Sequence, residues 1–108
     1  MSLSQQQKKA LRRIGHHLNP IVTVSEHGIS EGLQAELERA LDDHELIKVK
    51  IALSDREDRT AMVEQLVADS GAEAVQVIGK TALLYRTNPR ADPKLSNIQR
   101  FENHHGRR

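Results

Sequence analysis

The sequence predicts a single compact α/β domain in the order α-β-α-β-α-β-β, a four-stranded sheet with helices packed on it. Three observations predict it. Apolar residues recur alternately at helical and at strand spacing between residues 3 and 86, and breakers such as Asn19-Pro20, Ser70-Gly71 and Gly79-Lys80 fall between those stretches. The 108 residues suffice for one core and are too few for two.

A first helix is expected over 3–17, with Ser4 placed to cap it and Ala10, Leu11, Ile14 and Leu18 on one apolar side. Lys8, Lys9, Arg12, Arg13, His16 and His17 cover the rest. Gly15 and then Asn19-Pro20 end it, because the residue before proline is disfavoured in the helical region. Residues 21–24 form a short strand that runs through Ser25-Glu26-His27-Gly28 to Ser30, the cap of a second helix over 30–43. Leu33, Leu37, Ala40 and Leu41 make the apolar stripe of that helix, while Glu31, Glu36, Glu38, Asp42 and Asp43 face water. His44 and Glu45 turn the chain into a strand over 46–52. There Ile47, Val49 and Ile51 alternate with Lys48 and Lys50, the pattern of a half-buried strand with a basic outer face.

Ser54 and Glu57 have the capping-box spacing and open a third helix, with Ala61, Met62, Val63, Leu66 and Val67 on its buried side and Ser70-Gly71 at its end. Runs over 74–78 and 82–86 are two strands joined at Gly79-Lys80, glycine first as a type II′ hairpin prefers. Beyond Arg86, Asn88-Pro89 and Asp92-Pro93 break regular structure. The domain is therefore expected to span 1–87, and 88–108 to be a mobile basic tail that adds affinity rather than stability, with one docking turn of helix at Ile98 and Phe101 as the alternative.

A formal charge of +1 hides a strong segregation: residues 1–25 carry four bases and no acid, 26–75 five bases and 13 acids, and 76–108 seven bases and two acids. Basic ends around an acidic middle can present one positive face, and that face is what attracts a polyanion; pairing of acids with bases across the surface is the bland alternative. There is no cysteine, which removes disulfides, thiolate metal sites and cysteine nucleophiles together and fits a reducing cytoplasm. No apolar run approaches the roughly 18 residues that cross a bilayer, so a soluble protein without a membrane partner is expected.

Several constellations resemble chemistry without completing it. Gly79-Lys80-Thr81 matches the end of a phosphate-binding P-loop, but Ala74 stands where its first glycine is needed and a strand follows where a helix must. Lys80 is a charge at a hairpin tip. The pairs His16-His17 and His104-His105 lack a third ligand at a recognisable spacing, so no metal is expected. Ser25 and His27 have no acidic orienter, and no nucleophilic centre, cofactor or small-molecule substrate is expected. More suggestive is the Ser25 to Gly28 loop itself. Free N–H groups and the positive dipole end at a helix start can hold a phosphate, and Gly28 can take a positive φ; the same residues also fit a plain strand-to-helix turn.

The basic first helix, Asn19-Pro20, Gly28 to Leu33, His44 to Lys50 and Val75 to Arg86 together resemble the YhbY-like proteins, the stand-alone form of the CRM domain, over about residues 2–87. The resemblance implies a KH-like fold similar to the C-terminal domain of bacterial translation initiation factor three, and RNA binding without catalysis. It also implies association with precursors of the large ribosomal subunit. The family's Gly-x-x-Gly loop falls on Ser25-Glu26-His27-Gly28, with Gly28 present and Ser25 in place of the first glycine. In KH modules such a loop clamps the backbone of single-stranded nucleic acid.

Residue pattern and resemblance together select Lys8, Lys9, Arg12, Arg13, Lys48, Lys50, Lys80 and Arg86, with the Ser25 to Gly28 loop, as the RNA-binding set of a cytoplasmic monomer whose partner is ribosomal RNA. With one Tyr, one Phe and no Trp there is no aromatic platform, so recognition should rest on backbone and shape. The rival from another class is an adaptor whose acidic second helix docks on ribosomal or other basic proteins.

Overall fold

The computed structural model describes residues 3–101. Helix α1 spans Gln5–Gly15, β1 Pro20–Val24, α2 Glu31–His44, β2 Leu46–Ile51, α3 Arg56–Ser70, β3 Glu73–Ile78, β4 Thr81–Tyr85 and α4 Asn97–Phe101. The fold is the expected mixed α/β domain with a four-stranded sheet, ordered β1-β2-β4-β3, and a fourth helix beyond the expected series. β1 runs parallel to β2, which requires the crossover that α2 supplies; β4 is antiparallel to both β2 and β3.

Local chemistry places the helix ends. Ser4 caps α1 in a reciprocal box, its Oγ accepting from Gln7 N at 3.1 Å while Gln7 Oε1 accepts from Ser4 N at 2.8 Å. The box expected at Ser54 and Glu57 does not form. Asp55 is the cap of α3 instead, accepting from Glu57 N at 2.9 Å, because a carboxylate one residue closer to the helix reaches the free N–H groups and also favours the dipole. Gly71 closes α3 at φ 75, and Gly79 is the one positive-φ residue of the β3–β4 turn, at φ 57.

The sheet is covered on both faces, unequally. On the first face Val22, Val24, Ile47, Val49, Ile51 and Leu84 pack against Leu37 and Leu41 of α2 and Val63 and Leu66 of α3. On the second, Leu46, Val75 and Leu83 meet Leu11 and Ile14 of α1, with Ile98 of α4 beside them. Leu46 was outside the alternating apolar set of its strand, yet it is fully buried, because α1 and α4 cover the beginning of β2 on the side the lysines share. Gly15 does more than end α1: a Cβ there would lie 2.6 Å from Leu83 Cδ2, so the missing side chain lets the helix approach the sheet.

Residues 88–101 lie against the domain, and the contacts they make there are largely polar. Glu45 is buried at the C-cap of α2 with φ 63, and its carboxylate accepts from Ser96 Oγ at 2.6 Å and from Asn88 N at 2.7 Å. Asn97 Nδ2 donates to Leu46 O at 2.7 Å, and His44 Nδ1 lies 2.7 Å from Leu95 O. A buried carboxylate is costly unless it is hydrogen-bonded, and the returning chain supplies those bonds. Counting apolar residues alone missed this attachment.

Removing Ser96 Oγ leaves Glu45 short of a donor, so Ser96→Ala should lower the unfolding free energy by about 1–3 kcal/mol in urea titrations. Glu45→Gly and Glu45→Ala both lose the carboxylate, but only glycine adopts φ 63 freely, so the glycine variant should be the more stable by about 1 kcal/mol. Equal stabilities would show that the backbone at Glu45 carries no strain.

Candidate nucleic-acid interface

Charge divides by sheet face. α1 carries Lys8, Lys9, Arg12 and Arg13 and no acid, whereas α2 carries five acids to one base and α3 four acids to two bases. Because α1 lies on the second face and α2 and α3 cover the first, the segregation along the chain becomes a segregation across the sheet. Lys9 and Arg13 are exposed, and Lys8 and Arg12 half-buried.

The alternation of β2 puts Lys48 and Lys50 on the same face as α1, past the point where Leu46 is covered. Lys48 is half-buried between two shallow hollows. One, of about 230 Å³, is bounded by Gly15, His16, Gln76 and Thr81; the other, of about 290 Å³, by His17, Asn19 and Arg100. From the sequence Arg100 counts only among the bases of the expected tail, with Arg90 and Lys94. It reaches this place because α4 docks, and its position two residues after Ile98 points it away from the docking side.

Lys50 is exposed and pairs with Thr23 on one side and Thr81 on the other. At that end of the sheet, Ile51 N donates to Lys80 O at 2.6 Å, which sets the exposed Lys80 beside the end of β2. The Ser25 to Gly28 loop leaves β1 at the same end. Thus Lys48 and Lys50 share a face with α1, and Lys50, Lys80 and the loop share the end of the sheet away from Leu46.

The loop is an ordered turn. Gly28 N donates to Ser25 O at 2.9 Å, His27 N donates to Ser25 Oγ at 3.4 Å, and Gly28 has φ 78. Ser25 in the glycine position therefore contributes a turn bond of its own. Open space surrounds the Cβ direction of Gly28, so φ alone requires the glycine. Ser30 then caps α2, accepting from Leu33 N at 3.1 Å. His27 is exposed, but Glu26 lines the groove between α2 and α3 together with Glu31 and Asp58, which ties that carboxylate to the acidic side.

Arg86 departs from the expected set. Its guanidinium donates to Glu38 Oε1 at 2.7 Å, Asp42 Oδ1 at 2.8 Å and Ser70 O at 2.7 Å, so it joins α2 to the end of α3 instead of facing a polyanion. A strand-end arginine next to an acidic helix can pair locally, which sequence spacing does not reveal across 48 positions. Among the described residues no group of three or more His, Asp or Glu is placed to hold a metal, and no helix is long and apolar enough to cross a membrane. His104 and His105 lie outside the described residues.

Residues 3–86 match the family described as the CRS1 / YhbY (CRM) domain. The chain is 57% identical over 101 residues to a protein of Pseudomonas aeruginosa named a probable RNA-binding protein, with 94% of this chain and 97% of that one covered. It is 44% identical to an RNA-binding protein of Haemophilus influenzae, covering 87% and 95%. Among solved structures, that of a hypothetical protein from Staphylococcus aureus superimposes with a TM-score of 0.73 at 31% identity, over 84% of this chain and 95% of that one.

Arg86→Gln should lower the unfolding free energy by about 1–2 kcal/mol, since the two carboxylates it pairs with are partly solvated and the Ser70 carbonyl is the better protected partner. Chemical denaturation at low and at molar salt checks this. A loss abolished by salt would assign the whole effect to the ion pairs.

Proposed function

We propose that this chain, which belongs to the CRS1 / YhbY (CRM) domain family, binds RNA without catalysis through the face carrying α1, Lys48 and Lys50 and the adjoining sheet end that carries Lys80 and the Ser25 to Gly28 loop. The observation that carries the proposal is the separation of charge across the sheet. A face whose α1 and β2 side chains are basic releases counterions when it meets a phosphate backbone, while the acids of α2 and α3 disfavour binding from the other side. The names of the relatives support the partner class.

The proposed target is ribosomal RNA of the large-subunit precursor, with the protein acting as a monomeric assembly factor in the cytoplasm. Recognition by shape suits it. Tyr85 is half-buried and packs against the second core, so it offers no open ring for stacking. Phosphate contacts would then position the protein, and folded RNA would supply the specificity.

Replacing Lys48 and Lys50 together with Gln should weaken binding to all RNAs alike and reduce the slope of log affinity against log salt by about 1.4–1.8, as two phosphate contacts require. Filter binding over a salt series measures it, and an unchanged slope would remove the strand from the interface. In cells, sequencing of crosslinked RNA should return large-subunit ribosomal RNA; enrichment of messenger RNA instead would overturn the assembly role.

His27→Asp keeps Gly28 and Ser30, so the turn and the cap persist, but it sets a carboxylate at the exposed tip of the loop. RNA affinity should fall about tenfold, the scale of one lost charge-assisted contact with added repulsion. A folded variant that binds like the parent would make the loop a plain turn.

A further inference from the structure

On the face opposite the basic surface, the start of α2, the 26–30 segment, Leu53 and α3 line an open groove of about 790 Å³, a volume within the range of sites that bury a small ligand or a few peptide residues. Its apolar lining is Ile29, Leu53, Ala61 and Met62. Ile29, Leu53 and Met62 are half-buried and pack against the main core, so this part of the wall is supported from beneath. Its charged lining is entirely acidic: Glu26 and Glu31 on one wall, Asp58 and Asp69 on the other. Among the described residues none of these four carboxylates pairs with a cation; the two ion pairs there both belong to Arg86. Asp69 accepts from Gln65 Nε2 at 3.0 Å, a neutral partner that leaves its charge in place.

We infer that this groove docks a lysine- and arginine-rich amphipathic segment of a protein partner, with leucine-sized side chains entering between Leu53 and Met62 and basic side chains reaching the four carboxylates. Charge complementarity selects this occupant. An RNA backbone would meet four like charges, and an acidic or neutral apolar peptide would leave those charges without counterparts as the groove closes over them. The groove and the basic surface lie on opposite sides of the sheet, so the segment and a polyanion can be held together. Glu26, the residue of the 25–28 loop that is out of place in a phosphate site, belongs to this groove. The inference does not rest on the RNA reading, since the groove and its charge are independent of what the other face binds.

A fluorescein-labelled helical peptide of about three turns, leucine on one face and lysine and arginine on the other, tests it by anisotropy with the full chain. The peptide should bind about tenfold more tightly than a scrambled peptide of identical composition, whose leucines share no face. Ala61→Gln, at an exposed position on the groove wall, should weaken it about fivefold by filling the site without disturbing the core. Glu31→Gln combined with Asp58→Asn should weaken it about as much. Thermal melts confirm that each variant folds, and RNA affinity measured on the same variants should be unchanged or slightly raised. Equal binding of the two peptides, insensitivity to Ala61→Gln, or displacement of the peptide by RNA would overturn the inference. Concentration-dependent self-association in sedimentation, lost in Ala61→Gln, would equally overturn it by giving the groove to a second copy.

Discussion

Strand β2 must satisfy two neighbours and two faces at once, and the rest of the structure depends on its register. It pairs with β1 on one side and β4 on the other. Ile47, Val49 and Ile51 are buried on the first face, and Leu46 on the second, while Lys48 and Lys50 emerge where α1 and α4 no longer cover the sheet. A slip of one residue would drive both lysines into the first core and put three apolar side chains on the second face. The requirement that fixes the core therefore also fixes where the basic surface is.

With that register set, the electrostatics follow from which helices cover which face. α1 comes without a single acid and lies beside the exposed lysines; α2 and α3, rich in acids, lie beneath the sheet's other side. The charged side chains of both faces reach solvent, where at physiological salt exposed charges more than a Debye length apart, about 8 Å, are largely screened from each other. Each face thus acts on its own partner. The Ser25 to Gly28 loop stands at the border, with Lys50 and Lys80 at its end of the sheet and Glu26 turned to the acidic groove, which accounts for a loop of mixed charge in a position where a uniformly basic one would be simpler.

The buried Glu45 links this arrangement to the end of the described chain. By accepting from Ser96 and Asn88 it holds residues 88–101 over the beginning of β2, and the same docking completes the second core with Ile98 and delivers Arg100 to the hollow beside Lys48. One polar contact made for satisfaction of a buried carboxylate thereby extends the basic surface. Arg86 shows the converse, a base drawn out of the surface because two carboxylates and a carbonyl lie within reach.

The order of the first seven elements, their apolar stripes apart from Ala10 and Ala61, which are exposed, the Ser30 cap, the Gly71 stop and the Gly79 turn were legible because each depends on residues within a few positions of one another, where helical and strand periodicity and turn chemistry act. So was the charge carried by each element. Only the tertiary structure decided which face each charge would occupy, that Arg86 would be consumed within the fold, that the chain after Arg86 would return to Glu45, and that α2 and α3 would leave an acidic groove between them. Those outcomes depend on pairs such as Glu45 and Ser96, 51 positions apart, whose meeting is set by the global packing of the sheet and has no local signature.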